Sequence, residues 1–290
     1  MSQYVSIDPR TSIGAVRLVV ADLDDVADFY REAIGLRPLE REQSEIVRLG
    51  TGEDAAPLVE LVGDPSAPPR PPHTTGLYHL AIVVPTRADL ARALRRVADA
   101  GWRLTGASDH LVSESLYLSD PEGNGIEIYR DRPREQWQYR DGAIQMSTEP
   151  LDLDGVLGEL SREDAGAGMP AGTRMGHVHL NVADLTAAET FYSGALGFDV
   201  TVRGYPGALF VSAGGYHHHI GLNTWTGEGA PPPPPLSRGL RWFEIRLPGE
   251  AQLAAEEDRL RAAGFEPERV DGGVSVNDPS GNGVLLTGSA

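Results

Sequence analysis

The 290-residue chain contains neither cysteine nor lysine. Without cysteine there is no disulfide, iron–sulfur cluster, thiolate zinc site or cysteine nucleophile. All 25 basic residues are arginine, so lysine Schiff-base chemistry and P-loop phosphate binding are excluded as well. Positive charge is scarce overall. A formal net charge of −17 and a pI near 4.8 argue against nucleic acid or an anionic membrane surface as partner. Long apolar runs are missing too, and Met1–Val5 has neither a basic nor a hydrophobic leader character. The expectation is a cytoplasmic protein of two ordinary domains.

What is present is repetition. Asp120-Pro121-Glu122-Gly123-Asn124-Gly125-Ile126-Glu127 recurs as Asp278-Pro279-Ser280-Gly281-Asn282-Gly283-Val284-Leu285. Proline fixes φ, and Gly and Asn tolerate positive φ, so each copy reads as a hairpin turn between strands. The copies differ at their ends, where Glu127 stands against Leu285. A second repeat matches Ile13–Leu23 to Met175–Leu185, each a strand entering a helix with an aspartate (Asp22, Asp184) placed to cap it. Phe29-Tyr30 and Phe191-Tyr192 fall mid-helix and read as structural. Gly35 and Gly197 suit the left-handed helix end. A third pattern opens at Tyr78–Pro85 and at Arg241–Pro248, each followed by apolar residues at helical spacing. The chain therefore reads as four strand–helix–three-strand modules, over about 13–62, 78–130, 175–223 and 240–287. Proline-rich joints, Pro65–Pro72 and Pro231–Pro235, separate the modules within each half and read as stiff linkers. Leu151–Leu157 suggests a short helix within the connection between halves.

The eight histidines are not scattered. His79 and His177 hold the same place in the first strands of modules two and three, where modules one and four have Ala15 and Trp242. Alternation along a strand puts His179 on the face of His177. Two neutral imidazoles and one carboxylate are the ligand set of non-haem Fe(II) oxygenases, so His79, His177 and Glu127 are the expected metal ligands. In the run His217-His218-His219, alternation places the outer two opposite His218. His73, beside a proline joint, reads as a surface residue.

These features resemble the vicinal oxygen chelate superfamily and, within it, the catechol 2,3-dioxygenase type of extradiol ring-cleaving enzyme. The stretch Tyr117-Leu118-Ser119-Asp120-Pro121-Glu122-Gly123-Asn124-Gly125-Ile126-Glu127 is similar to that family's Tyr-x-x-Asp-Pro-x-Gly-Asn-x-x-Glu motif, His110-Leu111-Val112-Ser113 to its loop histidine, and His218-His219-Ile220-Gly221-Leu222 to its acid–base histidine strand. The resemblance implies an α+β fold of four βαβββ modules in two tandem domains, with paired modules forming cupped mixed β-sheets and helices outside. The expected division is 1–133, a linker over 134–173, and 174–290. It also implies Fe(II) at His79, His177 and Glu127, with Mn(II) suited to the same donors. His218 is then the acid–base group, and Tyr117 and His110 orient a small aromatic diol that O2 cleaves to a semialdehyde. The familiar enzymes draw their ligands from modules three and four, so here module two must meet module three, within one chain or across a homo-oligomer. If modules one and two pair instead, the polar set becomes Glu60, His79 and Glu127, the pattern of a glyoxalase-type isomerase or thiol transferase. A metal-free binding protein of the bleomycin-resistance kind is the third reading.

Overall fold

The computed structural model describes residues 5–39, 45–52, 55–161 and 168–288. Residues 1–4, which carry most of the leader reading, lie outside the described residues. The expected modules follow one another along the chain. Module one is β1 (Ser12–Val20), α1 (Leu23–Phe29), β2 (Arg37–Pro38), β3 (Ile46–Gly50) and β4 (Val59–Gly63). Module two is β5 (Gly76–Val83), α2 (Arg87–Asp99), β6 (Gly106–Asp109), β7 (Ser113–Ser119) and β8 (Gly125–Asp131). The connection carries short strands β9 (Tyr139–Arg140), β10 (Ala143–Ile144) and β11 (Glu149–Pro150), then the expected short helix α3 (Leu153–Leu157). Module three is β12 (Arg174–Asn181), α4 (Leu185–Glu189), β13 (Asp199–Val202), β14 (Ala208–Ser212) and β15 (Ile220–Asn223). Module four is β16 (Gly239–Leu247), α5 (Glu250–Ala262), β17 (Glu268–Val270), β18 (Gly273–Asn277) and β19 (Gly283–Gly288). Among the described residues no helix is long and apolar enough to cross a membrane.

The described chain forms two compact units that interleave in sequence. The first takes the N-terminal segment to Arg17, Pro68–Tyr78 and everything from His177; the second takes Leu18–Ala67 and His79–Gly176. In the first unit the strands run β17-β18-β19-β16 and β12-β15-β14-β13; in the second they run β4-β3-β2 and β11-β6-β7-β8-β5. The run β4-β3-β2 is antiparallel, and the other three mix directions: β5 pairs with β8 in parallel while β7 pairs with β8 antiparallel. Both β5 and β12 are buried along almost their whole length. A strand buried on both faces is apolar throughout, which makes the histidines in these two conspicuous.

Local chemistry fixes the ends of the elements. Asp22 caps α1 by accepting from the Asp25 N–H at 3.0 Å, and Asp184 caps α4 by accepting from Ala187 at 2.7 Å. Thr86 and Asp89 form a reciprocal capping box on α2. Helices α1 and α4 both widen at their C-terminal ends into a π turn, Tyr30–Ile34 and Thr190–Ala195. The N–H of Leu36 returns to the Tyr30 carbonyl and that of Phe198 to the Tyr192 carbonyl, each at 3.0 Å. Both turns end at a glycine with positive φ, 89° at Gly35 and 78° at Gly197.

The hairpins do more than reverse the chain. Asp120 and Asp278 accept from the backbone and side chain of Asn124 and Asn282, closing each turn on itself. Burial raises both carboxyls, Asp120 to about 6. Tyr192 donates to Asp278 at 3.0 Å, so this mid-helix aromatic is structural. Glu122 reaches the start of α1 and accepts from the Ala21 and Asp22 N–H groups at 2.7 and 3.0 Å. Ser280 does the same for module three, accepting from Ala183 at 3.0 Å. In the first unit the proline joints lie against each other, with Thr75 donating to the Pro231 carbonyl and Arg238 to that of Pro68.

Candidate metal centre

In the second unit, β5 and β8 pair with Ala81 opposite Glu127 and His79 opposite Gly125. His79 and Glu127 are therefore diagonal neighbours on one face, and Nε2 of His79 lies 3.1 Å from Oε2 of Glu127. Both are buried. Tyr117 on β7 stands directly opposite Glu127, with its ring centroid 5.7 Å from that of His79. His110 sits in the turn between β6 and β7, where Leu111 adopts φ 67°. Its Nδ1 lies 2.6 Å from the Ser147 carbonyl and its Nε2 2.7 Å from the Tyr117 hydroxyl. A carbonyl only accepts, so Nδ1 carries the hydrogen, Nε2 accepts, and Tyr117 donates to it. Ser147 belongs to the connection between halves, and nothing in its sequence context marks it as the residue that pins His110.

In the first unit, β12 places His177 and His179 on one face. His179 pairs in register with Gly221, and Gly221 with Phe210. A Cβ at Gly221 would come within 2.9 Å of the His179 ring, so the glycine makes room for this imidazole. Gly176 belongs to the second unit, where a side chain at this position would collide with the Tyr129 hydroxyl. The ring of His218 lies 4.1 Å from that of His177, centroid to centroid. The run His217–His219 precedes β15 and is not itself a strand. Strict alternation therefore fails there: all three histidines are buried, and Nδ1 of His217 lies 2.8 Å from Nδ1 of His218. His73 is exposed, as expected.

Within the second unit His79 and Glu127 offer an imidazole nitrogen and a carboxylate oxygen side by side, and in the first unit His177 is buried on β12. Two imidazoles and a carboxylate, all buried, suit a divalent transition metal with open positions left for exogenous ligands. Among the described residues Glu60 does not join this group; its carboxylate lies 3.6 Å from the Arg48 guanidinium.

Module four differs at the corresponding places. Trp242 is half-buried, with the Arg17 guanidinium 4.6 Å above its ring. Its ring thus meets a cation rather than an apolar cavity. Beside it Glu244 accepts from Arg246 at 2.9 Å, from the Thr287 hydroxyl at 2.8 Å and from the Ala15 N–H at 2.8 Å. These partners hold its carboxyl below the usual range against the opposing effect of burial.

Residues 12–128 and 174–286 match the model of the Glyoxalase/Bleomycin resistance protein/Dioxygenase superfamily. The chain is 43% identical over 288 residues to a protein of Bacillus subtilis named catechol-2,3-dioxygenase, covering 97% of this chain and 98% of that one. Glyoxalase I from Zea mays shares the fold at 17% identity, with a TM-score of 0.56 over 95% of this chain and 92% of that one. A solved Bacillus subtilis structure shares it at 12% identity, with a TM-score of 0.66 over 98% of this chain and 86% of that one.

Proposed function

The chain belongs to the glyoxalase/bleomycin resistance protein/dioxygenase superfamily, and we propose that it is an Fe(II)-dependent extradiol dioxygenase. It cleaves a catechol-type aromatic diol with O2 to a ring-opened semialdehyde. The observation that carries this reading is the buried pair His79 and Glu127, with Nε2 and Oε2 3.1 Å apart, in a chain similar over nearly its full length to a catechol-2,3-dioxygenase.

His79, Glu127 and His177 would hold the metal. When bound, Fe(II) would supply a template for both diol oxygens and for O2, with residual positive charge favouring the deprotonated diol; Mn(II) suits the same donors. His218, beside His177, accepts a proton from the diol and returns it during ring opening. Tyr117, its hydrogen turned toward His110, accepts from a substrate hydroxyl and orients the ring. His110, held by Ser147, fixes that orientation. The burial of His79, Glu127, His177 and His218 excludes water and strengthens their polar contacts. The duplicated halves run over 1–133 and 174–290 with 134–173 between them, a division supported by the two matched segments. A cytoplasmic location agrees with the absence of cysteine.

Anaerobic purification followed by metal analysis and an oxygen-electrode assay tests the reading. About one iron per chain, with O2 uptake and a yellow product from catechol or a substituted catechol, is the expected result. An iron-loaded protein inert to a broad catechol panel but active on hemithioacetals would transfer it to the glyoxalase class.

A further inference from the structure

The buried histidine run holds a contact that the proposed chemistry does not yet use. The chain leaves β14 at Ser212 and turns through Gly214 and Gly215, both with positive φ (59° and 67°). A side chain at Gly214 would collide with the Pro9 carbonyl, so the turn is tight. It delivers His217 into full burial. The Thr201 hydroxyl donates to the His217 carbonyl at 2.7 Å, and the Tyr216 ring lies 4.0 Å from the imidazole at an interplanar angle of 36°. On the other side His219 is anchored independently, its Nδ1 accepting from the Ala213 N–H at 3.1 Å with the Ser212 hydroxyl also at 3.1 Å. Between these two fixed rings, His218 meets His217 through Nδ1 on both sides, 2.8 Å apart.

Two ring nitrogens at that distance share one hydrogen: two bare lone pairs repel, and two N–H groups collide. We propose that His217 is a positioning residue that accepts from Nδ1–H of His218 and so leaves Nε2 of His218 bare and aimed at the substrate. The inference rests on the proposed function for the role of His218, and concerns which nitrogen of the neutral ring bears the hydrogen. The physical logic is that of an acceptor behind a catalytic imidazole, which sets tautomer and aim without itself meeting the substrate. When Nε2 takes the proton, the diol O–H bond breaks with its electron pair left on oxygen. The Nδ1–H bond to His217 persists and becomes charge-assisted. One neighbour therefore serves both states of the ring. Phe210, 5.0 Å from the His218 ring, and His177, 4.1 Å away, limit its rotation.

The test joins a spectroscopic and a kinetic arm on the full-length chain. Imidazole nitrogen-15 shifts, recorded with diamagnetic zinc in place of iron, should show neutral His218 as the Nδ1–H tautomer in the wild type and in His217→Asn, which retains an acceptor. His217→Phe should lose that preference. In the iron enzyme, His217→Phe should lower kcat about 10–100-fold, the usual range for loss of a partner behind an active-site histidine, with KM for catechol within about threefold by the same reasoning. His217→Asn should recover most of the loss. Neutral His218 found as the Nε2–H tautomer in the wild type overturns the proposal, as does an unchanged kcat in His217→Phe. If His217→Phe does not fold, the wild-type spectrum and His217→Asn decide. A wild type that consumes no O2 with any catechol sinks the dioxygenase reading, while the spectrum still decides the tautomer.

Discussion

Modules two and four are built alike and charged differently. Each begins with a strand paired in parallel to its last strand, each carries a 13-residue helix, and each closes with an Asp-Pro-x-Gly-Asn hairpin. In module two the buried carboxylate, Glu127, stands on the last strand with an imidazole 3.1 Å away. In module four the last strand offers Leu285, and the carboxylate has moved across the ladder to its partner Glu244, where Arg246 accompanies it. One module carries its own cation. The other presents a carboxylate beside an imidazole nitrogen, an arrangement that a metal ion would complete.

The largest effect comes from making module two resemble module four. Glu127→Leu removes the only anionic ligand, and we expect iron content to fall from about one per chain to near zero with loss of O2 uptake, as metal analysis would show. A variant that retained stoichiometric iron would break the comparison. His218→Ala should keep iron and bind catechol but lose about 10²–10⁴ in kcat, the contribution of a general acid–base group. Stopped-flow binding alongside turnover separates the two. Full activity in that variant would remove His218 from the chemistry.

The hairpins sharpen the contrast at a smaller scale. Glu122 satisfies two backbone N–H groups at a helix entry and Ser280 only one. Glu122→Ala should cost about 2 kcal/mol and Ser280→Ala about 1 kcal/mol, read from denaturant midpoints. The helices differ too. On α2 the buried Asp89 serves the capping box, whereas on α5 burial raises Glu256 to about 7 from an ordinary 4.5, only partly offset by Arg259. Between those values the folded chain retains a proton that the unfolded chain has lost. Stability therefore falls as pH rises through that window. Glu256→Gln should flatten this slope and gain roughly 1 kcal/mol at pH 8, a figure reduced for residual solvent access. The smallest expected effect is none: Trp242→His with Leu285→Glu should leave metal content unchanged, because Arg246 still occupies the charge of Glu244. A second equivalent of iron would contradict that account.

Much of this was legible because repeats carry register. The module limits, the caps Asp22 and Asp184, the glycine stops and the unequal ends of the two hairpins all follow from short-range spacing. What escaped the sequence depends on contacts between distant segments. Glu122 fills a turn position that accepts many residues, and only the fold shows that it reaches Ala21, 101 residues away. Ser147 acts through its carbonyl, which no side-chain pattern reports. Gly221 makes room for the His179 ring of the paired strand, a contact that no local spacing reports. The histidine run defied alternation because it turns before its strand begins.

The π turns of α1 and α4 carry a record of a different sort. Such a turn closes its hydrogen bond over one residue more than an α-helical turn and is rare in helices. It stands at matching places in modules one and three, while α2 and α5 run as uninterrupted α-helices. Module one is therefore matched by module three and module two by module four, and the chain is built as an unequal pair stated twice. Within that scheme the counterparts of His79 and Glu127 are Trp242 and Leu285, so the likeness of backbone between the second and fourth modules does not extend to their donor groups.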